Sequence, residues 1–191
     1  MAFPWQNLFY VLAAACNREE HTMNEHEHFM QIALEQAEDA LAHGEFPVGS
    51  VIVHEGRVVA SGQRRHTLEQ KESVNEIDHA EVLALRSLLA RETAVDPSEL
   101  VVYATMEPCL MCFSTLILNG IRRIVYAYED VMGGGTNLPL AQLNPLYAKM
   151  EVTVIPHVMR QQSLGLFQRF FANPENQYWK DSLLANYTLN Q

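Results

Sequence analysis

From residue 24 onward two periodicities alternate along the chain, and that alternation restricts the fold more than any other feature. Phe29, Ile32, Ala33, Ala37, Ala40 and Leu41 recur at helical spacing, and Gly44 supplies a stop. "GSVIVHEGRVVASG" (49–62) then reads as two strands around a turn at His54-Glu55-Gly56. A looser segment, 63–76, leads to "HAEVLALRSLLA" (79–90), which has no Gly or Pro and places apolar residues at 82, 85, 88 and 89. "ELVVYATM" (99–106) is β-branched and aromatic enough for a buried strand. After Pro108, a residue suited to a first helical turn, "CLMCFSTLILNG" reads as a helix ending at Gly120. Strands are expected again at "RRIVYAY" (122–128) and "MEVTVIPHV" (150–158), and a last helix over about 160–172. An opening hairpin followed by alternating helices and strands specifies an α/β layered domain.

The 191 residues suffice for one well-buried domain and fall short of two ordinary ones. No apolar run approaches the ~18 residues of a membrane span, so no membrane partner is expected. The net charge of −10, with only 13 Lys and Arg, argues against a broad phosphate-binding surface. "QRRH" (63–66) and "IRRI" (121–124) are local basic clusters that read first as a solvated turn and a strand edge. The three cysteines, Cys16, Cys109 and Cys112, form no disulfide framework and suit a reducing, cytoplasmic compartment. Residues 1–22 read as an N-terminal extension ahead of a natural start at Met23. Their apolar "LFYVLAAAC" lacks the positive n-region of a signal peptide. "MGGGTN" (132–137) lacks the Lys-Ser/Thr ending of a phosphate loop and reads as a flexible connection.

Two short motifs carry the chemistry. In "EPCLMC" (107–112) Cys109 and Cys112 are three apart at a helix start, where residues so spaced are neighbours and the helix dipole favours thiolates. Alone, this C-x-x-C allows a redox pair or half of a four-cysteine zinc site, although no fourth cysteine exists. With His79 it offers one nitrogen and two sulfurs, and three protein ligands leave a tetrahedral zinc one open position. Glu81, two residues from His79 on the same helix, is not needed as a ligand and suits a general acid/base. His21, His26, His28, His43, His54 and His66 read as surface residues and His157 as structural.

H-x-E followed by P-C-x-x-C is the signature of zinc deaminases. Over about residues 24–171 the chain resembles the cytidine/deoxycytidylate deaminase superfamily, most closely its bacterial tRNA adenosine deaminase branch, with guanine deaminases nearby. The resemblance lies in "EFPVGSVIVHEGRVVASG" (45–62), "HAEVLALR" (79–86), "TMEPCLMC" (105–112) and "RIVYAYED" (123–130). It implies a three-layer fold with a five-stranded mixed sheet flanked by helices, one Zn2+ on His79, Cys109 and Cys112, and a homodimer. It implies hydrolytic removal of an exocyclic amine from a nucleobase or nucleoside, with Glu81 shuttling the proton. Adenosine at the wobble position of tRNA is the alternative substrate, and a non-catalytic zinc-bound subunit a further one. The implied substrate positions are Phe46, Pro47, Val48 and Met106, the backbone around Ala80, and Arg64, where relatives usually carry Asn. Arg donates but cannot accept, so recognition of the base is expected to differ; Asn75 is the candidate substitute. Phe170 and Phe171 match an aromatic pair that lies near the pocket in the tRNA branch or simply packs in the core. The expected organisation is 1–22 as extension, 23–175 as the zinc-dependent deaminase domain and 176–191 as a C-terminal tail, poor in the basic residues of RNA-binding relatives.

Overall fold

The structure is a computed structural model and describes residues 25–67, 75–91 and 95–191; Cys16 and the expected extension lie outside the described residues. The first helix, α1, covers 25–42 and closes on Gly44, whose φ of 77° is the left-handed conformation that a helix C-terminus uses. The Glu45 N–H then donates back to the carbonyl of Ala40 at 2.9 Å, completing the cap.

Five strands follow: β1 Gly49–His54, β2 Arg57–Gln63, β3 Val101–Met106, β4 Arg123–Tyr128 and β5 Thr153–Ile155. Their order in the sheet is β2-β1-β3-β4-β5. β1 runs antiparallel to both β2 and β3, whereas β3, β4 and β5 are mutually parallel along the sheet. The hairpin between β1 and β2 turns at Glu55 and Gly56, both with positive φ (47° and 70°), the pair of conformations that matches the twist of flanking strands.

The remaining helices are α2 Ala80–Leu89, α3 Leu110–Leu118, α4 Pro145–Ala148, α5 Arg160–Phe171 and α6 Leu183–Leu189. Alternating side chains of the central strands feed two separate cores. Val51, Val53, Tyr103, Val125 and Ala127 pack with α1 and α5 on one face. Ile52, Val102 and Ile124 pack with α2 and α3 on the other. Both faces of β1, β3 and β4 are therefore buried, which is why these strands read as nearly continuous apolar runs. Among the described residues no helix is long and apolar enough to cross a membrane.

Two expectations need correction. The last strand is only three residues long, because β5 is an edge with one neighbour and half-exposed side chains. Residues 176–191, expected as a tail, pack back on the domain through α6. Leu184 and Thr188 are buried, and the Tyr128 hydroxyl lies 2.9 Å from Thr188 Oγ1.

Candidate active site

Two helices begin at the same end of the sheet, each from a residue that would normally cap it. His79 is the N-cap of α2 and Cys109 the N-cap of α3; neither makes the usual side-chain capping hydrogen bond. Both turn instead toward a common point. His79 Nδ1 lies 3.5 Å from Cys109 Sγ and 3.4 Å from Cys112 Sγ. Pro108 precedes the N-cap rather than occupying the first turn, so its carbonyl is free to accept from Gly135 N–H at 2.9 Å.

The three ligand atoms lie within 4.8 Å of one another, which suits a single ion with soft sulfur and imidazole donors. The protonation of the pair fits this use. The hydrogen bond from Cys112, helped by His79, holds the Cys109 thiol well down, at about 4. The same contact, with burial, pushes the Cys112 thiol up. One thiolate is thus favoured by the protein alone, and a divalent cation between the sulfurs allows both. For His79, burial opposes the charged form, but hydrogen bonding to Cys109 and the nearby Glu81 charge outweigh it and raise the pKa.

Glu81, on the first turn of α2, is almost fully buried, and burial pushes its carboxyl up. Among the described residues its Oε2 has no hydrogen-bond partner. The non-helical N-cap conformation of His79 (φ −69°, ψ 151°) lets its side chain and that of Glu81 line the same cavity.

That cavity has a volume of about 240 Å³. Of the expected substrate residues, Phe46, Val48, Arg64, Ala80 and Met106 line it, together with His79, Glu81 and Cys109. Pro47, buried between Phe46 and Val48 in sequence, is not among the lining residues. Arg64 is buried and its guanidinium is already engaged. Nη1 donates to the Asn75 carbonyl at 2.7 Å, and Nη2 to Glu76 Oε2 at 2.8 Å. Asn75 itself donates to Asp78 Oδ2 at 2.8 Å and is not in the lining. Phe170 and Phe171 pack edge-on against Phe46, at ring distances of 5.3 and 6.0 Å, and support the wall without lining the cavity.

Further lining residues escaped the sequence reading: Glu76, Asp130, Met132, Tyr178, Trp179 and Leu184. For Tyr178 and Trp179 the signal was an aromatic pair in an otherwise polar terminus. The glycine-rich segment is not a loose connection either. Gly134 bridges to Cys109, and a methyl on Gly135 would lie 2.6 Å from Leu110 N. Glu107, next to Pro108, receives Asp130 N–H at 3.2 Å and the Thr136 hydroxyl at 2.5 Å, fastening this loop over the start of α3.

The description of the cytidine and deoxycytidylate deaminase zinc-binding region matches residues 23–128. A tRNA-specific adenosine deaminase of Aquifex aeolicus is 32% identical over 109 residues, 57% of this chain and 70% of the relative. That of Streptococcus pyogenes serotype M18 is 28% identical over 151 residues, 79% of this chain and 92% of the relative. A chain solved in work on A-to-I editing by tRNA:A34 deaminases is 28% identical, with a TM-score of 0.58 over 73% of this chain and 98% of that one. A guanine deaminase from Nitrosomonas europaea shares the fold at 22% identity, with a TM-score of 0.60 over 75% and 83%. With the His79, Cys109 and Cys112 cluster built to hold zinc, the chain belongs to the cytidine and deoxycytidylate deaminase family and is a zinc-dependent hydrolase that deaminates a nucleobase or nucleoside.

Proposed function

We propose that the substrate is a small amino-bearing base or its nucleoside, delivered free rather than within tRNA. One observation carries this reading: the wall of the cavity is completed by Tyr178, Trp179 and Leu184 from the C-terminal segment, and its charge is acidic. Glu76, Glu81, Glu107 and Asp130 line it, against Arg64 as the one permanent cation among the described lining residues. A polynucleotide brings phosphates to such a mouth, and acidic side chains repel them. A neutral base enters without that cost and fits an apolar slot of Phe46, Val48, Ala80, Met106 and Leu184.

Hydrolytic deamination adds water across a carbon–nitrogen bond. A water oxygen bonds to the carbon bearing the amine, the ring nitrogen takes a proton, and ammonia leaves with another. Zinc on His79, Cys109 and Cys112 supplies the Lewis acidity that makes water nucleophilic near neutral pH. Glu81 moves the protons. Its Oε2, without a hydrogen-bond partner among the described residues, can accept a proton, and burial, which raises its pKa, favours the protonated carboxyl that delivers it to ring nitrogen and amine. The half-exposed Cys109 side and the cavity mouth admit substrate, while Phe46 and Met106 hold the ring against Ala80.

The names of the relatives favour a second reading, adenosine in the tRNA anticodon loop. Ammonia release by zinc-loaded protein separates the two, measured with guanine, adenine, cytosine, their nucleosides and an adenosine-containing anticodon stem-loop. Turnover of a base or nucleoside is expected; turnover of the stem-loop alone refutes the free-substrate reading. A homodimer accords with the exposed Leu110 and Leu118 of α3 and Leu146 of α4, and light scattering tests it. A cytoplasmic site accords with the free thiols of Cys109 and Cys112, which a reducing compartment preserves; fractionation of the native source checks it.

A further inference from the structure

We propose that Glu76 determines substrate specificity: its carboxylate, locked by Arg64 and Tyr178, accepts hydrogen bonds from ring N–H groups and selects guanine-type bases over adenine and cytosine. The inference rests on the free-substrate reading above.

Two side chains from other segments, one of them 102 residues away, converge on this one carboxylate. Arg64, just beyond β2, donates from Nη2 to Glu76 Oε2 at 2.8 Å and to the Tyr178 hydroxyl at 3.3 Å. Tyr178, from the C-terminal segment, donates its hydroxyl to Glu76 with both oxygens at 3.1 Å. Arg64 is itself fixed by the Asn75 carbonyl and is buried, so it is not free to swing toward a ligand. Half-exposed glutamates ordinarily keep their rotamer freedom, and immobilising one costs entropy. Here a guanidinium and a phenol hold it at the edge of the cavity.

An ionised carboxylate has about four acceptor positions, and these two partners leave some of them for the cavity. The other carboxylates among the described lining residues, Glu81, Glu107 and Asp130, also accept, while three hydrogen bonds already hold the Arg64 guanidinium on Asn75, Glu76 and Tyr178. A lining so rich in acceptors suits a substrate that brings ring donors. Guanine in its lactam form carries a ring N–H beside the amine-bearing carbon and another on its imidazole ring. In adenine and cytosine the ring nitrogen beside the amine-bearing carbon is an acceptor, and it would meet the carboxylate lone pair to lone pair. Arg64, in the position where a base-reading Asn was expected, thus acts through Glu76 as a positioning residue, as does Tyr178.

The competing role for Glu76 is to orient the metal ligand, since its Oε2 lies 3.6 Å from His79 Nε2. That separation is beyond hydrogen-bond length, and one experiment separates the roles. The zinc-loaded wild type and Glu76→Gln are compared for kcat and KM on guanine, adenine and cytosine, and zinc retention is titrated with a chelator. Replacing one oxygen by an amide donor is expected to lower the guanine-to-adenine ratio of kcat/KM by roughly tenfold or more, mainly through the KM for guanine, with zinc retention unchanged. Tyr178→Phe, which keeps the carboxylate and its Arg64 contact, is expected to lower the same ratio less, and it serves if the Gln variant does not fold. An unchanged ratio in both variants overturns the proposal, and zinc loss with an unchanged ratio assigns Glu76 to His79 alone. A wild type that turns over bases but prefers adenine overturns this proposal only; one active solely on the stem-loop overturns the free-substrate reading with it.

Discussion

Gly62→Ala tests whether the site depends on the closeness of β2 to α2. Gly62 pairs with Ser50 in the sheet, and its α-carbon faces the first turn of the helix that carries His79 and Glu81. A methyl built there collides with the Ala80 carbonyl and lies 2.6 Å from Ala84 N. Both obstacles are backbone, so no side chain can rotate away. Ordinary contact begins at 3.4 Å, so the helix must retreat by about 1 Å. Overpacking of this kind costs about 1–3 kcal/mol, and a rigid obstacle places the cost near the upper end. Restricting the unfolded chain by replacing Gly returns about 0.5–1 kcal/mol, leaving about 2 kcal/mol of destabilisation. For a domain of this size that is a fall in Tm of roughly 4–8 °C. The same displacement moves Glu81 relative to the sulfurs on α3, and about 1 Å of misplacement lowers turnover by about 100-fold. Thermal melting with parallel ammonia-release assays provides the measurement. Gly165→Ala in α5, where an added methyl meets nothing within 4 Å, is the control and is expected to raise stability by about 0.5–1 kcal/mol. A Gly62→Ala protein that melts within about 1 °C of wild type and keeps its activity refutes the reasoning.

Glu81→Gln is expected to keep zinc and lose roughly 10²–10⁴-fold in kcat, because Gln cannot carry the proton; undiminished ammonia release removes Glu81 from the chemistry. Cys109→Ser should lower zinc occupancy after dialysis against a chelator, and full retention by metal analysis would contradict the ligand assignment. Acid should release the C-terminal segment before the core. For Glu129 burial opposes ionisation, but hydrogen bonds from Arg160 and Tyr187 outweigh it and hold the carboxyl at about 2. A folded pKa below the unfolded 4.5 means this stabilisation is present above about 4.5 and is lost as pH falls toward 2. Tryptophan fluorescence, which includes Trp179 at the cavity, should therefore change between pH 4.5 and 2 in the wild type. Glu129→Gln should flatten that change, and an identical titration in the variant would exclude Glu129 as the group that holds the C-terminal segment.

Glu129 also explains why the terminus was misread. "NPENQYWKDSLLANYTLNQ" (173–191) has few apolar residues, so periodicity alone gives it no core to join. Its attachment comes from the burial of Leu184 and a few specific contacts: Tyr187 on Glu129, Thr188 against Tyr128, and Tyr178 on Glu76. Partners 58 to 102 residues away leave no local trace in a sequence.

By itself the sequence determined the elements and the ligand set. Alternation of helical and strand periods is local physics, and it specified an α/β sheet whose buried strands are continuous apolar runs. One histidine and two cysteines at helix starts specified the metal chemistry, because few other residue types supply soft ligands. Only the tertiary structure decided which surface surrounds that chemistry. It brought Phe46, Met106 and Leu184 into one wall, excluded Pro47, and fastened a glycine loop onto the cysteine helix. It also paired Arg64, which lines the cavity, with Glu76. A side chain's chemistry is written in its identity, but its direction is set by packing against residues anywhere in the chain.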